Sequence, residues 1–149
     1  MYRSILCLLL CSAVLVQGVI NDCGSKVGSY TNISITNCKP EASTCILKRG
    51  KVVTISITFN VDRDIKEVNA EVHGIIAGAA LPFPFSQKDA CSKSGLSCPL
   101  KKDNGPYTYS ATLNILPIYP PLKVIVKWEL KDENGDDIVC ALIPSEIKL

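Results

Sequence analysis

The chain has 149 residues, with 16 Lys and Arg against 14 Asp and Glu and a formal charge of +2. The charges are interspersed, with no basic stripe and no aromatic-flanked Arg cluster, which argues against nucleic-acid binding. With 47% hydrophobic residues and eight cysteines, the chain can bury one core and staple it covalently.

The first element in chain order is a leader. Arg3 gives a short positive start, the apolar run ILCLLLCSAVLV follows, and VQG sets Gly18 before a cleavage point. This is the pattern of a secretory signal peptide over residues 1–18, and the run falls short of the ~20 residues a membrane anchor needs. Cys7 and Cys11 leave with it. The expected domain, 19–149, keeps Cys23, Cys38, Cys45, Cys91, Cys98 and Cys140. An even set in an exported chain predicts three disulfides, and no C-x-x-C pair speaks for a metal site, so no metal or cofactor is expected. Sequence alone allows many connectivities. The spacing narrows them: Cys38/Cys45 and Cys91/Cys98 each bound a short loop, and Cys23 and Cys140 are left to join the two ends.

The rest reads as strands. A weak strand near 27–37 carries Asn32 in the acceptor triplet NIS, an expected glycosylation site. KVVTISITFNV (51–61) alternates with period two, placing Val53, Ile55, Ile57, Phe59 and Val61 on one face. In KEVNAEVHGII (66–76), Val68, Ala70 and Val72 are inward by the same logic, and His73 is outward. YTYSATLNI (107–115) sets Tyr107, Tyr109, Ala111, Leu113 and Ile115 to one side. LKVIVKWEL (122–130) opposes Leu122, Val124, Val126, Trp128 and Leu130 to Lys123, Lys127 and Glu129, and a last weak strand lies near 138–148. KRGK, NVDRD, KDNGP and DENGDD are the turn signals between them. No segment keeps a helical period. Six to eight short strands in a domain of this size predict an all-β, Ig-like antiparallel sandwich.

Two segments break the alternation. VHGIIAGAALPFPF (72–85) ends in prolines that cannot donate to a central ladder, yet Phe83 and Phe85 need cover. LPIYPPLK (116–123) is a second Pro-aromatic stretch, and it leads into the strand of Trp128. Proline stiffening holds Phe83, Ile118 and Tyr119 in place. These segments form either an apolar rim around an opening between the sheets or a plug of ordinary core, and the residues alone leave the two readings equal.

Catalytic chemistry has no foothold. The lone His73 points outward, the cysteines are expected to be paired, and no G-x-S-x-G elbow is present. The expectation is a binding protein rather than an enzyme, in monomeric form.

DCGS (22–25), the sequon before Cys38, VHGIIAG, PFPF, CSKSGLSCPLKKD and YPPLKVIVKWEL follow one another in an order that resembles the ML lipid-recognition domain family. Within that family the likeness is to the soluble sterol carriers of the Niemann–Pick type C group. It spans nearly all of 19–149 and includes all six cysteines. It implies an apolar pocket between the sheets and the pairs Cys23–Cys140, Cys38–Cys45 and Cys91–Cys98. It implies a pocket entrance at Phe83, Ile118 and Tyr119, deeper positions at Leu116, Pro117, Val124 and Trp128, and weaker matches at Ile33, Val53 and Leu122. The polar atoms of Tyr119 and Trp128 would be available to orient a ligand. The implied ligand is a sterol or fatty-acid-like lipid, carried outside the cell or in the lysosomal lumen. A transient partner is expected in a membrane surface or a membrane sterol transporter, with the basic 86–103 loop beside the rim as the docking segment.

Two departures bear on ligand choice. The link from Pro117 to Pro120 is shorter than in the sterol carriers, and Ala141 stands where they place a tryptophan, which would widen or re-aim the cavity. Fatty acids and lipophilic semiochemicals therefore join sterols as expected ligands. A recognition module for microbial lipids is the rival within the same family.

Overall fold

The computed structural model describes residues 19–149, so the leader expected at 1–18 lies outside the described residues. Among those residues there is no helix. The strands are β1 (Asn21–Asp22), β2 (Gly28–Ile35), β3 (Cys45–Lys48), β4 (Val52–Val61), β5 (Asn69–Ile76), β6 (Ala79–Pro82), β7 (Tyr107–Asn114), β8 (Lys123–Lys131) and β9 (Asp137–Lys148). They form two sheets. The larger has the order β1-β9-β8-β5-β6, with β3 also on β9; the smaller is β2-β4-β7.

Period-two alternation makes the sandwich. Ile55, Ile57, Phe59 and Val61 of β4 and Tyr109, Ala111 and Leu113 of β7 are buried, and they meet Val72 of β5 and Trp128 and Leu130 of β8. Each sheet has one apolar face, and stacking the two removes both from water. Trp128 is 2% exposed, gripped edge-on by Phe85 at 5.2 Å and by Tyr109 at 6.2 Å between ring centroids.

Three elements are additions to the expected set. β6 folds back on β5 through Ala77 (φ 50°) and Gly78 (φ 82°), a two-residue turn whose left-handed backbone matches strand twist. β1 is two residues long. β3 pairs parallel with β9, Cys45 to Ser145 through Lys48 to Lys148, whereas the other ladders are antiparallel.

The disulfides are Cys23–Cys140, Cys38–Cys45 and Cys91–Cys98. Cys38–Cys45 spans the step from β2 in one sheet to β3 in the other. Cys91–Cys98 staples the long connection that carries the chain from β6 back to β7. Cys23–Cys140 ties the entry of the domain to its final strand.

Candidate functional site

At one end of the sandwich the sheets part around a chamber of about 210 Å³. Val72, Gly74 and Ile76 of β5, Leu81 and Pro82 of β6, and Val124 and Val126 of β8 form the wall of the larger sheet. Leu113 and Ile115 close the opposite side. A smaller chamber of about 30 Å³ lies deeper, bounded by Val53, Ile55, Trp128 and Ile143. The two share Leu47, Leu113 and Val126 as a common wall. Ser145 borders the inner chamber, and its hydroxyl already donates to the Ile143 carbonyl at 3.1 Å. His73 and Tyr119 are the polar side chains in the wall of the outer chamber.

Phe83 and Tyr119 meet edge-on at the mouth, 5.8 Å between centroids. Phe83 is half-buried and lines the chamber, while Phe85 is buried and packs on Trp128. The two phenylalanines thus divide the rim and plug roles between them. Strand pleat would put these i and i+2 positions on one face; they part because β6 ends at Pro82 and the chain is no longer a strand from Phe83 to Phe85.

The other positions fall into groups. Tyr119, Leu122 and Val124 line the outer chamber, and Val53 and Trp128 line the inner one. Leu116, Pro117 and Ile118 stand in solvent as the outer lip, with Ile118 84% exposed. Ile33 borders a separate small cleft beside Cys38 and Pro144. Ala141 lines neither chamber. It sits opposite Trp128 in the β8–β9 ladder, fully buried, so its small side chain does not widen the cavity. Gly74, Leu47 and Ile147 are wall residues that the alternation did not single out: glycine shows no apolar side chain, and β3 was not recognised as a strand.

The polar atoms near Trp128 sit behind the wall. Neither Trp128 Nε1 nor the Tyr109 hydroxyl has a hydrogen-bond partner, and both are buried. Burial pushes the Tyr109 hydroxyl well above its usual range, an effect the neighbouring indole N–H only partly opposes. A ligand's polar group therefore finds no ready anchor in the depth of the cavity.

The mouth loop is held from one side. Arg49, in the turn between β3 and β4, donates from Nη1 to the carbonyls of Pro117 and Tyr119, each at 3.2 Å. The basic loop behaves differently from expectation. Lys101 pairs with Asp64, beyond the far end of β4, and Ile65 pairs with Leu100. β4 begins beside the mouth at Val52, so roughly 30 Å of strand separates Lys101 and Lys102 from the rim. The cations tied to the mouth loop or its anchors are Arg49, Lys51, whose carbonyl accepts from Ile115 N–H, and Lys148, whose carbonyl accepts from Arg49 N–H.

On the outer face of the larger sheet, alternation alone put Glu129 in water, but it is 5% exposed. Lys127 (3.6 Å) and Lys131 (3.7 Å) flank it, and His73 Nδ1 lies 4.0 Å away. Glu71, His73 and Glu129 bring donor atoms within 4.8 Å of one another, but Lys131 already holds Glu71 at 3.0 Å, so lysine charge fills the role a cation would take. Burial, reinforced by the neighbouring Glu129 carboxylate, pushes Asp137 up to about 7 against the pull of Lys131 and Lys127.

A disulfide-stapled β-sandwich that leaves an apolar chamber between its sheets has the build of a lipid-binding domain. The chain belongs to the ML domain family, whose model matches residues 18–147. It is 45% identical over 141 residues to the protein of Drosophila melanogaster named NPC intracellular cholesterol transporter 2 homolog a, covering 93% of this chain and 95% of that one. The crystal structure of a Niemann-Pick type C2 protein from the Japanese carpenter ant superposes with a TM-score of 0.82 at 33% identity, covering 87% of this chain and 98% of that one. Chicken MD-1 complexed with lipid IVa shares the fold at TM-score 0.54 and 21% identity, over 84% and 85% of the two chains.

Proposed function

We propose that the protein is a lipid carrier that takes an apolar ligand, a sterol or a fatty-acid-like chain, into the chamber between its sheets and gives it up unchanged. The observation that carries this reading is the chamber itself: about 210 Å³ walled by apolar side chains, with a half-buried aromatic pair at its mouth. Removing an apolar body from water contributes about 25 cal/mol per Å². Binding needs no chemistry, and none of the described groups forms a catalytic constellation.

The chamber's size constrains the ligand. A cavity of ~150 Å³ suits benzene, whereas pockets for drug-sized ligands start at ~300 Å³. A four-ring sterol therefore requires the mouth to open and the walls to move apart. A single flexible chain needs less, because it can thread past Val126 into the inner chamber. The ligand's polar end is expected at the mouth, where Tyr119 and His73 are the polar side chains of an otherwise apolar wall.

Export through the 1–18 leader, glycosylation at Asn32 and delivery at a membrane complete the proposal. Asn32 is exposed on the edge strand β2, which supports its use as an acceptor. The exposed Leu81, Leu116 and Ile118, with Arg49, Lys51 and Lys148 at the mouth loop and its anchors, support the mouth end as the surface that meets an anionic membrane or a transporter, in place of the 86–103 loop.

The test is mass spectrometry of solvent extracts from protein secreted by eukaryotic cells, with a Trp128→Ala control. A stoichiometric lipid that is lost in the control is the expected result. A clean extract that also displaces no fluorescent sterol or fatty acid would refute the carrier.

A further inference from the structure

Residues 116–121 connect the two sheets across the mouth, and little holds them. At one end Ile115 is pinned on both sides: Gly50 N–H donates to its carbonyl and its own N–H donates to Lys51. At the other end the Leu122 carbonyl accepts from Ile147 N–H. Between these anchors the segment closes one internal turn, Tyr119 N–H to the Leu116 carbonyl at 3.1 Å. Among the described residues, the hydrogen bonds that tie 116–121 to the rest of the protein are the two that Arg49 donates to Pro117 and Tyr119. The one aromatic contact is Tyr119 against Phe83.

We infer that Arg49 is the latch of the chamber's gate: by holding the carbonyls of Pro117 and Tyr119 it keeps the Tyr119 ring against Phe83, and its release lets the 116–121 loop swing away so that ligand exchanges. The inference rests on the carrier reading for its functional consequence, but the contact itself does not. Three features favour a latch over a mere surface bond. Pro117, Pro120 and Pro121 have no N–H to donate, so between its anchors at Ile115 and Leu122 the segment has only its own Tyr119–Leu116 turn and the Arg49 bonds to hold it, and loss of one loosens the other. Arg49 makes no ion pair among the described residues, so no carboxylate competes for its fork of donors. Its chain neighbours Lys48 and Lys51 and the adjoining Lys148 are cationic, which favours release of the guanidinium toward an anionic surface when the mouth is presented to one. Arg49 is thus a positioning residue that sets the rate of exchange through Tyr119, without touching the lipid.

The experiment compares wild type with Arg49→Met, Arg49→Lys and Lys51→Met, the last removing a neighbouring charge that makes no contact with the loop. Each protein is loaded with a fluorescent polyene fatty acid or a fluorescent sterol and chased with unlabelled anionic vesicles in a stopped-flow instrument. Charged hydrogen bonds are among the stronger kinds, so Arg49→Met is expected to release probe about tenfold faster or more. Arg49→Lys, able to reach one carbonyl, should recover part of the loss, and Lys51→Met should match wild type. A second readout needs no ligand: hydrogen exchange at the Tyr119 amide should quicken in Arg49→Met while the amides of β4 and β8 keep their protection. Equal release rates with equal Tyr119 exchange would overturn the latch. If no variant takes up either probe, the carrier reading fails, and the Tyr119 exchange still decides whether Arg49 holds the loop. Loss of protection across β4 and β8 in Arg49→Met would mean a structural role and would also overturn the proposal.

Discussion

Gly74→Val separates a ligand chamber from a loosely packed core. Gly74 lies on the inward face of β5, opposite Val126 of β8 and Leu81 of β6. A Cβ there would come 3.2 Å from a γ-methyl of Val124, close enough that Val124 must yield by a few tenths of an ångström. The three added carbons stabilise by burial at ~0.8 kcal/mol each, and leaving glycine in a strand gains another ~0.5–1 kcal/mol. Overpacking against Val124 costs ~1–3 kcal/mol, so folding stability should stay within ~2 kcal/mol of wild type. A ligand loses the space of the same three carbons, ~2.4 kcal/mol, or about 60-fold in Kd. Competitive displacement of a fluorescent fatty acid measures the affinity, and guanidinium denaturation measures the fold. Gly74→Ala, one carbon, should cost about fourfold on the same scale. A folded Gly74→Val protein that binds as tightly as wild type would show that the ligand does not occupy this chamber.

Phe83→Ala removes half of the aromatic pair at the mouth, and ligand dissociation should quicken about tenfold while Tm falls only a few degrees; equal losses in both would restore the plug role to Phe83. Tyr109→Phe deletes a buried hydroxyl whose nearest polar group is the Trp128 indole N–H and which makes no well-formed hydrogen bond, so calorimetry should show stability unchanged or raised by up to ~1 kcal/mol, with no change of shape. Asp137, raised from 3.8 to about 7, binds its proton more tightly in the folded state, so stability falls as pH rises from about 4 to about 7 and is level above that. Asp137→Asn should remove that slope, so its Tm advantage over wild type should be larger at pH 8 than at pH 5; an advantage that does not change with pH would place the raised affinity elsewhere.

What could be read from the residues follows from which physical signal each element carries. β4, β7 and β8 have long period-two alternation because one face of each is buried against the other sheet, and they appear where that pattern predicts. The mouth pair Phe83 and Tyr119 was marked by proline and exposed aromatic carbon together. β6 left no such trace. All four of its residues are exposed, its composition is Ala-Ala-Leu-Pro, and its turn places Ala77 at a positive φ where Asn or Gly is the usual signal. β3 is four residues between a cysteine and a turn, too short for a period, and its parallel pairing with β9 is set by Cys38–Cys45 and the tertiary fold. Glu129 shows another limit: alternation gives the face, but coverage by Lys127 and Lys131 of β8 and His73 of β5 depends on how two strands pair. The basic 86–103 segment was adjacent to the rim in sequence yet leads away from it in space, because the chain crosses between sheets there.

Leaving about 210 Å³ unfilled has a cost, and its size explains the cysteines. At ~24 cal/mol per Å³ the empty chamber costs about 5 kcal/mol, a large share of the ~5–15 kcal/mol that holds a domain folded. A ligand in the chamber removes that cost, so the protein is most exposed to unfolding or collapse between release and reloading. Cys23–Cys140, closing a loop of 117 residues, contributes about 5 kcal/mol in the chain-entropy model, which matches the cost of the empty state. Cys38–Cys45 joins the end of β2 in one sheet to the start of β3 in the other, and so opposes sliding of the sheets as well as unfolding, while Cys91–Cys98 tightens the connection from β6 to β7. A carrier that must survive empty needs its stability to come from something other than the space it keeps open, and these covalent ties supply it.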